Sequence, residues 1–477
     1  MGAKAMNGTR PRTLRGFRDI LPGEVLAREN LISVIRRICE SYGFAPLSTP
    51  ALEYRETLLG YGEEANKQIY LFREPDGNEV GLRFDLTVPL SRVVALYREI
   101  PRPFKRYQIQ PVWRYDKPGP GRFREFLQFD IDTVGTESMV ADAEIIQAMC
   151  DTLLALGLSN FRIRFSNRKV LNSLVKLAGI GPDLALPVFR VLDKLERQGL
   201  EAVKEELGPG RIDTSGAEIR GLGLREKEIG KIEEFLRLPQ GNREEALGSL
   251  DALFRGLEGA DEGIRELREI HDSLTSLEIP DERVAIDLSI ARGLDYYTGP
   301  VYEAILLDAK EYGGILGGGR FDELIGLFTG EKVPATGCSI GVDRLFSAME
   351  KLGMVELRPS TTDVLVTVMV KERLFEYERA AKKLRAGGIR TELYMGEETS
   401  IGSQLKYADR QAIPIAVIIG PEEFAKNQVS LKDLRVMRTG KVEIEDRKSW
   451  LEARVGQKKV PRENLVEEVR ALLDLKA

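Results

Sequence analysis

The stretch Trp113–Gly135, WRYDKPGPGRFREFLQFDIDTVG, reads as two strand arms around a Pro/Gly break. The arms are Trp113–Asp116 and Arg122–Val134, and the break is Lys117-Pro118-Gly119-Pro120-Gly121. Side chains alternate faces along a strand. Arg122, Arg124, Phe126, Gln128, Asp130 and Asp132 therefore share one face, and Phe123, Phe129, Ile131 and Thr133 mostly supply the other. Arg114 and Asp116 pair similarly on the first arm. One face of the hairpin thus offers guanidiniums, an aromatic ring, an amide and carboxylates, which suits a planar, anionic and partly cationic ligand. A hairpin with one solvated face shows the same alternation, so the rest of the chain has to decide.

The 477 residues are enough for two to four domains, and 43% hydrophobic with 30% charged residues is the balance of a globular chain. The net charge is −5 but uneven: residues from Thr361 onward hold 22 Lys+Arg against 19 Asp+Glu. A mildly basic end on an acidic body is compatible with nucleic-acid contact. Cys39, Cys150 and Cys338 are far apart and form no CxxC pair, which predicts reduced thiols, a cytosolic (cytoplasmic) setting and no zinc cluster. No apolar run is long enough for a membrane span. Residues 1–14 read as a basic arm. His271 is the sole histidine and reads as a plain helix or loop residue; without help it supports no Ser–His–Asp triad, HExxH zinc site or His-ligated metal.

Working outward, Glu24–Tyr42 has a helical stripe stopped by Gly43, and Phe44–Pro50 a strand ended by proline. Ile69–Phe72 and Glu79–Phe84 read as strands around Pro75-Asp76-Gly77. In Arg83-Phe84-Asp85-Leu86-Thr87 the first, third and fifth residues share a parity, and Thr87 reads as the N-cap of a helix opened by Pro89. Glu137–Leu156 reads as a helix. Residues 169–276 become helical, charged and Gly-broken, the pattern of an inserted α-helical module. Strands return at Arg283–Ser289 and Val301–Leu307, with RGLDYYTG (Arg292–Gly299) between them. The glycine block Gly313–Asp322 follows and lacks a GK[ST] ending, so it is not a P-loop. Ala335–Gly341 runs into a helix over 342–352 with Arg344 in its first turn, a position suited to phosphate. Beyond the linker at 355–362 the pattern is βαβαβ, an α/β domain on a largely parallel sheet with a closing helix at Arg462–Leu475. Short strands are expected at Gln428–Asp433 and Arg435–Arg438.

Together these motifs resemble class II aminoacyl-tRNA synthetases and, among them, the histidyl-tRNA synthetase (histidine–tRNA ligase) family. The helix and strand ending at Pro50 resemble motif 1, Arg114–Phe126 motif 2, and Gly341-Val342-Asp343-Arg344 motif 3. RGLDYYTG and Gly317–Asp322 are similar to the two histidine-specific motifs, and the likeness runs from Arg15-Gly16-Phe17-Arg18-Asp19 to the C-terminal helix.

The resemblance implies an α/β multidomain protein. Its catalytic domain, an antiparallel sheet over 15–354, would be interrupted by the helical insertion 169–276, with an anticodon-binding α/β domain at 363–477. It implies ligation of L-histidine to its tRNA through histidyl-adenylate, releasing pyrophosphate and AMP, with ATP as substrate, Mg²⁺ alongside, and a homodimer built partly through motif 1. A non-catalytic regulatory or sensor relative is the competing implication; such proteins lose motif arginines, the tRNA domain, or both. Arg114 and Arg292 would be catalytic. Histidine would meet Asp85, Thr87, Arg114, Gln128, Asp132, Arg292, Tyr296 and Tyr297; in a strict strand only one of the two tyrosines faces the pocket, whereas a turn could present both. ATP would meet Arg114, Asp116, Arg122, Phe126 and Arg344, with no Mg²⁺ ligand named. Gly402–Arg410, with Gln404, Lys406 and Arg410, would be an RNA-facing edge. Phe321 and Phe123 stand where the family often has tyrosine, and Asp343 where glutamate is more usual.

Overall fold

The computed structural model describes residues 10–59, 66–212, 216–257, 259–290, 296–438 and 456–474. The chain divides into two units, Met1–Asp19 with Asn30–Val355, and Ile20–Glu29 with Glu356–Ala477.

The first unit is built on an eight-stranded sheet. Its strands are β1 (Ala45–Pro46), β2 (Phe104–Trp113), β3 (Glu125–Val134), β4 (Phe161–Asn167), β5 (Val284–Ile286), β6 (Pro300–Leu306), β7 (Gly314–Arg320) and β8 (Ala335–Gly341). They lie in the order β1-β2-β3-β8-β7-β6-β4-β5. The inner pairs are antiparallel, and only the two edge pairs, β1 with β2 and β5 with β4, are parallel.

Pleating sorts the sheet into two chemistries. One cross-strand row runs Tyr107, Ile131, Cys338, Gly318, Tyr302, Phe165, Ile286. The adjacent row runs Gln108, Asp130, Ser339, Gly317, Glu303, Arg164, Ala285. Neighbouring rows point to opposite faces, so one face is apolar and the other polar. Helix Val140–Ala155 lies against β8 and β4 and buries Ile145, Ile146, Met149 and Leu153. Each such side chain contributes roughly 1.5–3 kcal/mol. Helix Ala260–Ser276 packs on that helix in turn.

The central hairpin differs from the expectation. Its ladder starts at Phe104 and ends at Trp113 opposite Glu125, so Arg114–Arg124 form a wide loop. The Arg114 amide still bonds the Arg124 carbonyl at 2.9 Å, but the Asp116 amide turns back to the Arg114 carbonyl at 2.8 Å and leaves the ladder. The expected strand 44–50 shrinks to β1, while Leu52–Tyr54 joins a separate three-stranded sheet with Leu71–Arg73 and Glu79–Leu82. The glycine block forms β7, a central strand. Glycines suit a strand where neighbouring backbone comes close, and a Cβ on Gly318 would lie 2.0 Å from the Gly337 carbonyl oxygen. Residues 169–276 hold helices from Arg168–Ala178 to Ala260–Ser276, together with a small hairpin, Gly210–Ile212 with Glu218–Arg220, that the helical pattern hid.

The second unit carries a five-stranded sheet in the order Thr391–Leu393, Val364–Val366, Ile415–Ile418, Gln428–Asp433, Gln457–Pro461. The first three strands are parallel and the last two antiparallel, so the sheet is mixed rather than largely parallel. Arg435–Arg438, expected as a strand, is a helical turn. Asp433 accepts from the Arg435 amide at 2.9 Å and bends the chain there. Among the described residues no helix is long and apolar enough to cross a membrane.

Candidate active site

On the polar face of the first unit's sheet lies a cavity of about 280 Å³. Asp85, Thr87, Arg114, Asp116, Arg122, Phe126, Gln128, Tyr296, Tyr297 and Arg344 all line it, residues drawn from positions 85 to 344 of the chain. Arg292 lies outside the described residues, as does most of the basic arm 1–14. Asp132 is buried one rung from Asp130 and is not among the lining residues.

Arg114 leaves the ladder with its guanidinium between two rings, 4.3 Å from the Phe84 centroid and 5.2 Å from that of Phe126. Its Nε donates to the Phe84 carbonyl at 3.0 Å and its Nη2 to Gln128 Oε1 at 3.3 Å. Burial pulls its pKa below the usual guanidinium value, while the Asp85 carboxylate is the leading group acting the other way.

Gln128 is locked from behind. Its Nε2 donates to Asp130 at 2.9 and 3.1 Å and to Ser339 Oγ at 2.8 Å. An anionic acceptor on one side and an arginine donor on the other allow one amide orientation only. Asp130, which the motifs left without a role, is the group that sets it. No local sequence signal marks Asp130; its partners Ser339 and Gln128 meet only through the β3–β8 register.

Asp85 Oδ1 accepts from the Val88 amide at 3.0 Å. Helix Thr87–Leu96 begins at Thr87, with no side-chain cap from its Leu86. Thr87 is thus the first helical residue rather than the N-cap, and Asp85 satisfies the free amide end. Tyr296 Oη lies 3.5 Å from Asp85 Oδ2, and its ring stands 5.0 Å from that of Tyr297 at 65°. A turn, not a strand, presents both tyrosines to the cavity. Phe321 lies beneath, buried in the core with Tyr296 packed on its edge at 6.1 Å. Phe321 is not among the residues that line the cavity.

Beneath the wall lies a buried charge cluster. Arg106 is fully buried; its Nη2 stands 2.8 Å from Asp132 Oδ2, a charge contact outside hydrogen-bond alignment, and donates to the Leu86 carbonyl at 3.1 Å. Asp85, Asp130 and Asp132 are all raised above the usual carboxylate range, chiefly by burial, with Arg106 opposing. Three carboxylates facing two guanidiniums, Arg106 and Arg114, favour a cationic ligand group. Gly337 leaves room for the buried Asp132 carboxylate: a Cβ there would lie 2.1 Å from Asp132 Oδ1.

The opposite end of the cavity is open and cationic. Arg122 is half exposed, 3.4 Å from Asp116. Arg344 Nη1 donates to the Gly314 carbonyl at 2.6 Å. Asp343 Oδ2 accepts from the Leu127 amide at 2.8 Å, tying helix Val342–Lys351 to β3. Arg83, Arg320 and Asp322 serve the scaffold instead. Arg83 donates to the carbonyls of Thr49, Pro50 and Pro111, and Arg320 pairs with buried Asp142.

Other candidates fall away from the cavity. His271 Nε2 lies 3.3 Å from Glu244, on the insertion. The three thiols are buried and unbridged, and burial holds them protonated. No cluster of three His, Cys, Asp or Glu among the described residues could hold a metal. In the second unit Gln404 is buried, its amide bonding Val368 and Glu398 backbone, so it is not an exposed RNA contact; Lys406 and Arg410 are exposed.

Comparison with known proteins adds to this geometry. The family model described as histidyl-tRNA synthetase matches residues 16–345, and one described as an anticodon binding domain matches 363–472. The chain is 42% identical to the histidine–tRNA ligase of Rhizobium rhizogenes, over 98% of this chain and 96% of that protein. It is 40% identical to that of Dinoroseobacter shibae, over 99% of each. The crystal structure of histidyl-tRNA synthetase from Nostoc sp. PCC 7120 superposes with a TM-score of 0.79 at 33% identity, covering 98% of this chain and all of that one.

Proposed function

The chain belongs to the histidyl-tRNA synthetase family, and from that premise we propose how its cavity divides the work of the family's reaction. The activity is ATP-dependent ligation of L-histidine to its tRNA by a class II aminoacyl-tRNA synthetase, through histidyl-adenylate, with release of pyrophosphate and AMP. One observation carries the division of labour: a single cavity holds an acidic, tyrosine-lined end and an open, arginine-lined end, with Arg114 between them.

The α-ammonium of histidine is assigned to Asp85, Thr87 and Gln128. The imidazole is assigned to Tyr297 with Asp132 behind it across Gly337, and Tyr296 closes the side. A site whose polar groups are left unpaired by a wrong ligand discriminates by roughly 10⁴ or more. At the other end Arg122 is assigned to the terminal phosphates, Asp116 to the adenine edge, and Phe126 and Arg344 to the two adenine faces. Arg114 and Arg292 are assigned to the reacting centre. There a histidine carboxylate oxygen attacks the α-phosphorus and pyrophosphate leaves; the terminal ribose hydroxyl of the tRNA then attacks the histidyl carbonyl and AMP leaves.

No protein nucleophile is needed, and the protein's task is positioning and charge stabilisation. Arginine suits it because its fork stays charged and grips carboxylate and phosphate together. Mg²⁺ is proposed to enter with the nucleotide, because the ion binds through few protein groups; when bound it would neutralise phosphate charge.

The catalytic domain is taken as 15–354 with the insertion 169–276, and the anticodon-binding domain as 363–477. A homodimer through the first helix and β1 is proposed on the family likeness, and size-exclusion chromatography with light scattering at monomer mass would refute it. A regulatory relative without catalysis is disfavoured, since Arg114 and Arg344 line the cavity and the second domain model matches. The experiment is histidine-dependent ATP–pyrophosphate exchange. Exchange absent with histidine, or equal with other amino acids, overturns the assignment, and wild-type exchange in Arg292→Ala removes that residue's role.

A further inference from the structure

Gly16-Phe17-Arg18-Asp19 opens the matched stretch, with Arg15 just before it, yet none of the roles above falls on this segment. It lies along the return arm of the 114–124 loop. The Gly16 carbonyl accepts from the Arg124 amide at 2.8 Å and the Arg15 carbonyl from Arg124 Nη1 at 3.4 Å. Gly16 sits at φ +85°, and a Cβ there would lie 2.8 Å from Arg124 Cγ, so the close approach requires glycine. Phe17 then packs edge-on against Tyr70 at 6.3 Å, and Tyr70 against Tyr115 at 5.8 Å.

Arg18 reaches both walls of the arginine-lined end. Its guanidinium lies 4.0 Å from the Phe123 ring centroid. Its Nη2 lies 3.3 Å from Asp343 Oδ1, while the other oxygen of Asp343 takes the Leu127 amide. One side chain thereby joins the loop before β3 to the first turn of helix Val342–Lys351. Phe126 precedes Leu127, and Arg344 follows Asp343. The two residues assigned to the faces of adenine are thus each one position from an atom in this tie.

We propose that Arg18 is a positioning residue that sets the separation of Phe126 and Arg344, and so the width of the adenine slot, without touching the nucleotide. The inference rests on the assignment of ATP to this end of the cavity. Nη2 bonds Asp343 while the guanidinium lies over the Phe123 ring, a combination that lysine cannot reproduce.

The test is steady-state ATP–pyrophosphate exchange on the full-length protein, varying ATP and histidine separately. Arg18→Ala is expected to raise KM for ATP about tenfold, the scale of one lost charge-assisted contact, with KM for histidine and kcat within about twofold. Arg18→Lys, which keeps the charge and loses the stack, is expected to fall between the two. An unchanged KM for ATP in Arg18→Ala overturns the proposal, as does an equal rise for both substrates, the mark of general loosening. If Arg18→Ala does not fold, Phe123→Leu removes the stacking partner and carries the same expectation; an unchanged KM for ATP there overturns it. Absence of exchange in the unsubstituted protein instead removes the nucleotide assignment, and the inference with it.

Discussion

Alanine at Gly317 and, separately, at Gly318 should split function from stability on adjacent residues. At Gly317 the nearest atom to an added Cβ is the Tyr302 carbonyl oxygen at 3.7 Å, an ordinary contact, and the residue lines the cavity between Ser339 and Glu303. The fold accepts the methyl, and stability should change by zero to a gain of ~1 kcal/mol, because alanine narrows the unfolded ensemble. The methyl would enter the cavity of about 280 Å³. One methylene of misfit in such a site is worth about 1–3 kcal/mol, or roughly ten- to two-hundredfold. kcat/KM for histidine-dependent exchange should fall by that factor. At Gly318 the added Cβ would lie 2.0 Å from the Gly337 oxygen and 2.6 Å from Cys338 Cα. Both are backbone atoms of β8 and cannot swing aside, so the central strands must part, at a cost of about 1–3 kcal/mol or more. Urea unfolding followed by fluorescence, alongside exchange kinetics, measures both effects. A Gly317→Ala protein that is as destabilised as Gly318→Ala, or one with wild-type exchange, would refute the placement of this rung on the ligand face.

Arg114→Lys keeps the charge but loses the fork that bonds Phe84 and Gln128; single-turnover adenylate formation should slow by about 10²–10³, the cost of one preorganised donor, and a slowing below tenfold would contradict its place at the reacting centre. Asp130 and Asp132, pushed up as a pair to about 6 and about 7 by burial, hold more protons folded than unfolded between pH ~4 and ~7. Their contribution to stability therefore declines as pH rises through that window, and the fall in urea midpoint from pH 5.5 to 8 should be shallower in Asp130→Asn than in the unsubstituted protein; identical slopes would count against it. Arg320→Met strands fully buried Asp142 and should cost about 3–5 kcal/mol in unfolding free energy. A near-neutral value by denaturant titration would show that the pair is not needed.

Where periodicity was local, the chain announced itself. The helix stopped by Gly43 runs Pro22–Ser41, and helix Ile401–Arg410 starts after Ser400, whose hydroxyl accepts from the Ser403 amide. The even-numbered face of β3 holds Phe126, Gln128, Asp130 and Asp132, as alternation required, because register follows directly from a pleat of period two. The misses have two causes. Arg435–Arg438 turns because neighbouring Asp433 takes the Arg435 amide, whereas Gln457–Pro461 is a strand by virtue of its partner Gln428–Asp433, and the expected strand 44–50 keeps only the two residues that pair with β2. Propensity carries no information about a partner far away in the chain.

The motif residues, their types and their order are properties of the sequence, and they are enough to show the family and to propose Arg114, Gln128, Tyr297 and Arg344 for its machinery. That Gln128 is oriented by Asp130 and Ser339, that Arg83 and Arg320 brace the scaffold, and that Arg18 reaches from the N-terminal segment to Phe123 and Asp343 depends on strand register and packing. Side-chain chemistry is written residue by residue, whereas a hydrogen bond between positions 128 and 339 exists only once β3 and β8 lie side by side.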